Sequence, residues 1–153
     1  MAIYEKFIGR SRDSFVSLKD CQENFKITYE QNFNFAYDVM DVLAEKSPDA
    51  RAILWTNDEG LQKTFTFADI KERTDKTASF FKSCGINKGD FVMLILQRRY
   101  EFWLSILALH KLGAAVIPAT HMLTKEDIVY RNNAANIKAI VAVNDGDILS
   151  HID

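Results

Sequence analysis

His110 and His121, the adjacent Arg98 and Arg99, the carboxylate pairs Asp38/Asp41 and Glu126/Asp127, and the thiols of Cys21 and Cys84 are the side chains whose types could do chemistry. A histidine can move a proton, neighbouring guanidiniums can clamp an oxyanion, and paired carboxylates can share acid–base work. Their spacing makes plainer roles the simpler reading. His110 falls late in an apolar helical run, where a partly buried imidazole complements the last carbonyls of the helix. His121 follows Pro118 to Thr120, the end of an expected strand and a place where open α/β sheets bind ligands; a solvated loop histidine is the simpler account. Arg98 and Arg99 also follow a strand end and could meet an anion, although a salt-bridged helix entrance is the more economical account. Asp38/Asp41 and Glu126/Asp127 fall on expected solvent faces or in a helix's first turn and need no function. Cys21 and Cys84 lie far apart without a metal-ligand or C-x-x-C spacing, so two reduced thiols are expected.

No phosphate-binding loop is present. Neither G-x-x-x-x-G-K-[ST] nor G-x-G-x-x-G occurs, a G-x-S-x-G elbow is missing, and each of the six glycines reads as punctuation. The residues therefore assign no catalytic, cofactor-binding or metal-binding position to this chain. Composition narrows the partners. A formal charge of −2 gives no reason for a nucleic-acid or membrane-surface partner. Apolar runs are broken by Arg98, Glu101 and His110 well short of the roughly 20 residues of a membrane span. The opening MAIYEKFIGRSRDSF lacks the apolar core of a secretory signal, so a cytoplasmic location is expected.

The elements that must position these side chains centre on residues 91–120. Six apolar residues, Phe91 to Leu96, predict a buried strand. Phe102, Trp103, Ile106, Leu107 and Leu109 follow at helical spacing, Gly113 stands at the C-cap position, and Ala115 to Ile117 closes with Pro118. Strand, crossover helix and strand make a βαβ unit, hence a parallel sheet covered by helices. Upstream, residues 35–46 predict a helix with Phe35, Val39, Val42 and Leu43 inward and Asp38, Asp41 and Glu45 outward. Ala52 to Trp55 and Gln62 to Phe65 flank the turn cluster Asn57 to Gly60 as a hairpin. Thr66 with Asp69, and Thr124 with Asp127, predict two capped helices with staples Phe65/Ile70 and Leu123/Ile128. The first buries Ile70, Thr74, Ala78 and Phe81. Ile137 to Val143 predicts a last strand, Asn144 to Asp147 a turn, and Ile148 onward a further element. Residues 1–34, rich in rings from Tyr4 to Phe33, predict an irregular N-terminal wrap with one short helix.

Several stretches occur together in an order that carries more information than any one of them. LALHKLGAAVIPAT resembles the L-K-A-G-x-x-x-x-P segment of the adenylate-forming enzymes. TFTFADI resembles their L-[ST]-Y-x-E-L segment, with Phe65, Thr66, Phe67, Asp69 and Ile70 at the patterned positions. GINKGDFVMLIL is similar to their G-[IV]-x-x-G-D-x-V run, and LTKEDIVYR looks most like acyl-CoA synthetases of the medium-chain type. The resemblance covers Phe33 to Val143.

That resemblance implies an α/β fold, a mostly parallel sheet flanked by helices on both faces with an antiparallel hairpin, as in the N-terminal subdomain of adenylate-forming enzymes. Residues 35–153 are then an incomplete subdomain of a larger adenylating domain. The implied activity is that of an acid–thiol ligase: a carboxylic or fatty acid attacks ATP to give an acyl-adenylate and pyrophosphate, and coenzyme A then displaces AMP. ATP, Mg²⁺ and coenzyme A are the implied cofactors, a small carboxylic acid the substrate, and the remainder of the same enzyme the partner. Members supply their phosphate cradle from a T-S-G-T-T-G-x-P-K loop that this sequence lacks, so the chain alone is expected to be inactive. NDGDILSHID lacks the arginines that acetyl-activating members place there for coenzyme A. Apolar surface left uncovered predicts a homodimer. The alternative from another class is a free-standing, non-catalytic α/β binding or interaction module.

Overall fold

The structure is a computed structural model that describes residues 6–8, 14–144 and 146–152. Tyr4 and Asp145 of the expected wrap and turn lie outside the described residues. The chain divides into two compact units, Met1–Phe33 and Asn34–Asp153. In the first, Ser17 caps helix α1 (Leu18–Asn24) by accepting the Asp20 amide at 3.0 Å. An antiparallel bridge joins Ile8 to Ile27, and Phe7 meets Phe33 edge-on at 5.2 Å.

The second unit holds a hairpin, a three-stranded parallel sheet and its helices. Strands β1 (Arg51–Thr56) and β2 (Gln62–Thr66) pair antiparallel, turning at Gly60, whose φ of 80° suits glycine. Helix α3 (Phe67–Ser83) begins at Thr66. Its capping box is reciprocal: the Thr66 hydroxyl accepts the Asp69 amide at 3.2 Å, and the Asp69 carboxylate accepts the Thr66 amide at 2.9 Å. Asp, one methylene shorter than the usual Glu, therefore spans the box. Ile70, Thr74, Ala78 and Phe81 are the buried face of α3, as their spacing predicts. Thr124 and Asp127 make the same box at the start of α5 (Lys125–Ala135).

Strand β3 (Phe91–Ile95) runs between β4 (Ala115–Pro118) and β5 (Ala139–Ala142), parallel to both. Val92, Met93, Leu94 and Ile95 are all fully buried. Successive strand residues point to opposite faces, so both faces of β3 are covered. Burial of each such side chain contributes roughly 1.5–3 kcal/mol. Topology explains the cover. The chain steps from β3 to β4 through α4 (Glu101–Leu112), then back across β3 to β5 through α5. Right-handed crossovers in opposite directions put α4 on one face and α5 on the other. Helix α3 packs on α4, and α6 (Ile148–Ile152) packs on α5. Gly113 ends α4 with φ 72°, and a Cβ there would meet the Lys88 side chain at 3.0 Å.

One expected face is wrong. Residues Ala36–Asp41 form a π-helical turn that passes into α2 (Val42–Lys46). The wider i→i+5 turn shifts the inner face. Ala36, Asp41 and Ala44 are buried, while Phe35 is 45% exposed. Asp41 is therefore not a solvent-facing carboxylate. It accepts two bonds from the Lys111 ammonium, at 2.9 and 3.0 Å. Lys111, in the last turn of α4, also donates to Asp75 of α3, and Lys71 donates to Asp75 at 2.9 Å. Burial would raise the Asp75 pKa, but bonds from Lys111 and Lys71 outweigh it and hold the carboxyl below its ordinary value. The Asp75 bond in turn raises Lys71 above the usual lysine value.

A second correction concerns His110. It is partly buried, as a helix-end histidine is expected to be, but its ring is not the polar cap seen at that end of α4. Burial lowers its pKa, and its Nδ1 is buried without a hydrogen-bonding group among the described residues. The polar cap at that end comes from Asn34, whose Nδ2 donates to the His110 carbonyl at 2.6 Å. Asn34 is itself held by its amide bond to Asp38 at 2.7 Å.

Two stability measurements test these placements. Lys111→Met strands the Asp41 carboxylate in the interior and costs about 3–5 kcal/mol in urea denaturation, and adding Asp41→Leu recovers much of the loss. Equal destabilisation by the double variant would contradict the buried pairing. For His110 the folded pKa lies below the unfolded value near 6.5, so the unfolded chain takes up the proton first. Stability is full above that pH and declines as pH falls from 6.5 through the folded pKa. His110→Leu flattens that segment of the stability–pH curve.

Candidate functional site

The three parallel strands end at one edge of the sheet. Bonds from the Ala119 amide to the Leu94 carbonyl (2.9 Å) and from the Val143 amide to the Ile95 carbonyl (3.3 Å) align their exits. Because β3 leaves toward one face and β4 toward the other, their exits diverge. Such a point opens a crevice in α/β sheets. A cleft of about 800 Å³ lies there, lined by Gln97, Arg98 and Arg99 from the β3 exit, Thr120 and His121 from the β4 exit, and Trp55 to Asp58 from the hairpin.

Local geometry builds the cleft's corner. Gln97 has φ 51°, a left-handed conformation that side chains other than glycine rarely adopt. The Arg99 amide closes the turn on the Leu96 carbonyl at 3.2 Å. The hairpin is fastened to this corner by its rings. Trp55 donates its indole N–H to the Arg98 carbonyl at 2.7 Å and stands edge-on to Tyr100 at 5.4 Å. Phe65 packs on Tyr100 at 5.0 Å, and the Lys63 ammonium donates to the Tyr100 hydroxyl at 3.0 Å. Burial of Phe65 against Ile70, Leu104 and Leu107 anchors the other end.

Arg98, Arg99 and His121, separated in sequence, are thus brought together. Asp58 from the hairpin turn lines the same cleft. A smaller cavity of about 420 Å³ adjoins it, lined by Gln97, His121, Asp147 and His151 among others. There His151 Nδ1 lies 2.9 Å from the Leu123 carbonyl. A carbonyl oxygen can only accept, so the contact as a hydrogen bond places a proton on Nδ1.

The remaining candidates lie elsewhere. His110 sits at the far end of α4, Asp41 belongs to the Lys111 network, Asp38 accepts the Asn34 amide, and Asp127 completes a capping box while Glu126 is exposed beside it. Cys21 and Cys84 are free thiols, half-buried and exposed respectively. Trp55, Gln97 and His151 were not singled out by sequence reasoning. A hairpin tryptophan gives no local sign of the corner it touches, and a positive φ at glutamine has no sequence signature. Among the described residues no group of three His, Cys, Asp or Glu could hold a metal ion, and no helix is long and apolar enough to cross a membrane.

Relatives share this architecture. The M. tuberculosis fatty acyl CoA synthetase superposes with a TM-score of 0.69 at 21% identity, covering 78% of this chain and 23% of that one. The Klebsiella oxytoca NpsA N-terminal subdomain gives 0.62 at 23% identity over 70% of this chain and 27% of that one. These likenesses show the fold: an α/β subdomain with a parallel sheet, flanking helices and an antiparallel hairpin, as the sequence resemblance implies. In sequence, the rat mitochondrial acyl-coenzyme A synthetase ACSM5 is 38% identical over 128 residues, 79% of this chain and 22% of the relative. Human ACSM3, also mitochondrial, is 31% identical over 84% of this chain and 23% of the relative. The chain thus spans about a fifth of the length of the curated relatives it matches. The AMP-binding enzyme family matches residues 40–152, from the π turn to α6, and the chain belongs to that family.

Proposed function

We propose that this chain is the N-terminal part of an AMP-forming acyl-CoA synthetase, an acid–thiol ligase that activates a carboxylic or fatty acid as its adenylate and passes the acyl group to coenzyme A. The family match across residues 40–152, joined to relatives named acyl-coenzyme A synthetases, carries this reading. In it, residues 35–153 are an incomplete α/β subdomain of the adenylating domain and residues 1–34 an N-terminal wrap. The remainder of the enzyme and a small acid are the partners.

The residues present do not make a site for Mg²⁺ and ATP. Transfer of an adenylyl group needs oriented donors and cations around the phosphates. Gly60, Gly85, Gly89, Gly113 and Gly146 all take positive φ, the geometry of single turns and caps, with no run of glycines to cradle a phosphate chain. No catalytic group, metal ligand, or ligand for ATP or coenzyme A is assigned to this chain. Its part in the reaction is to hold the sheet on which the rest is assembled. Cytoplasmic location belongs to the proposal, and the mitochondrial names of the relatives supply its competitor.

Three measurements bear on this reading. The isolated chain does not exchange pyrophosphate into ATP and does not bind ATP tightly; robust exchange by these 153 residues would place the chemistry inside them. The reading frame continues into a Ser/Thr/Gly-rich loop, whereas a natural stop after Asp153 would favour the free-standing binding module. Exposed Leu54, Phe80, Trp103, Val129 and Tyr130 leave apolar surface that drives self-association at high concentration, and sedimentation as a strict monomer argues against the homodimer.

A further inference from the structure

We infer that the outer half of the hairpin, Leu54 to Thr64, is a hinged flap that swings at a bulge beside Ala52 and is latched on the ring of Tyr100. This goes beyond the ligase reading and does not depend on it, because it rests on how unequally the two halves of the hairpin are fastened. The inner half is tied to α3. The Phe67 amide donates to the Ala50 carbonyl and the Ala68 amide to the Pro48 carbonyl, each at 3.1 Å. Phe65 is 5% exposed, and Ala52 and Ile53 pack on the same cluster. From Leu54 to Thr64 no residue is fully buried. Between the halves the ladder slips: Arg51 pairs with Thr66 but Ile53 with Phe65, so Ala52 is an extra residue on β1. An extra residue interrupts the ladder and bends the strand, which makes it the point where a two-stranded ribbon flexes.

The contacts of the outer half converge on one side chain. Trp55 and Lys63 are paired across the ladder, and both reach Tyr100. The Trp55 ring stands edge-on to it, while the Lys63 ammonium lies 4.5 Å from its ring centre and 3.0 Å from its hydroxyl. The Trp55 indole adds its bond to the Arg98 carbonyl at 2.7 Å. Contacts of this kind at a half-exposed site are individually weak. Among the described residues no strand of the hairpin pairs with the parallel sheet, so no ladder reinforces them. An attachment of this kind opens at a lower free energy than the buried sheet unfolds. Trp55 to Asp58 form one wall of the crevice, so release of the latch moves that wall and frees the Arg98 carbonyl while β3, β4 and β5 stay in place.

The Trp55 indole hydrogen reports the latch directly. Its exchange with solvent is followed by NMR in the full chain, and a Trp103→Phe spectrum distinguishes it from the second indole. The expected protection is about a hundred-fold lower than that of the β3 amides, because the latch opens without global unfolding. Lys63→Met, at an exposed position, removes the ammonium from Tyr100 and lowers the indole's protection about five-fold further, while the β3 amides keep theirs. The Asn57 amide, which donates to the Leu61 carbonyl at 3.1 Å within the flap, also keeps its protection, since a swing leaves the ladder intact. Indole protection equal to that of β3 overturns the flap, because the latch then opens only when the whole unit unfolds. Loss of Asn57 protection in step with the indole overturns it as well, because the hairpin is then melting and not swinging. An indole rate in Lys63→Met that matches the parent removes Tyr100 as the latch and overturns the inference.

Discussion

The ammonium of Lys111 is the interaction on which the helical layer depends. Its side chain is 2% exposed, yet it reaches Asp41 from the π turn and Asp75 from α3, and its charge lies 5.4 Å from the Tyr37 ring centre. Placing a lysine there is costly unless its donors are filled. They are filled only when three segments distant in sequence take one relative position. Such a cluster adds little net stability compared with apolar packing, but it discriminates sharply between registers. It fixes the roll of α4 against α3, and Asn34 secures the same end of α4 through the His110 carbonyl.

That constraint travels along α4 to its other end. With the C-terminal turn held, Leu104 and Leu107 meet Ile70 and Phe65, and Tyr100 meets both Phe65 and Trp55. The hairpin, a separate two-stranded sheet with no strand bonded to β3, β4 or β5, is thereby set beside the parallel sheet's C-terminal edge. Ring packing and one indole bond do this, not a β ladder. The cleft with Arg98, Arg99 and His121 is a product of that arrangement: the parallel sheet supplies two walls, and the hairpin supplies the third.

Much of the fold was legible because it is written in local rules. The capping boxes at Thr66 and Thr124 depend on side chains three residues apart, the buried face of α3 on a period of 3.6, and the end of α4 on one glycine. The run Phe91 to Leu96 identified the central strand because a strand covered on both faces has no polar alternate positions. The candidate site was half legible. Arg98, Arg99 and His121 each announced themselves by following a strand end, which is a local fact.

What tied them together was not local. Within the sequence, a period of 3.6 put Asp41 on the solvent face, and only the π turn, stabilised by a lysine 70 residues away, turned it inward. His110 looked like the partly buried group that complements the last carbonyls of α4, but an asparagine from another segment takes that role. Gln97 and Trp55 carried no signal, because a strained φ and a hairpin's docking surface are decided by which elements collide. The sequence by itself determined the elements, their caps, their family and the cations at the strand exits, since those depend on neighbours within a few residues. The tertiary structure alone decided which carboxylate is buried, which end of α4 is held by which side chain, and that the hairpin closes a cleft over two arginines, since those depend on contacts between segments that the chain brings together only when folded.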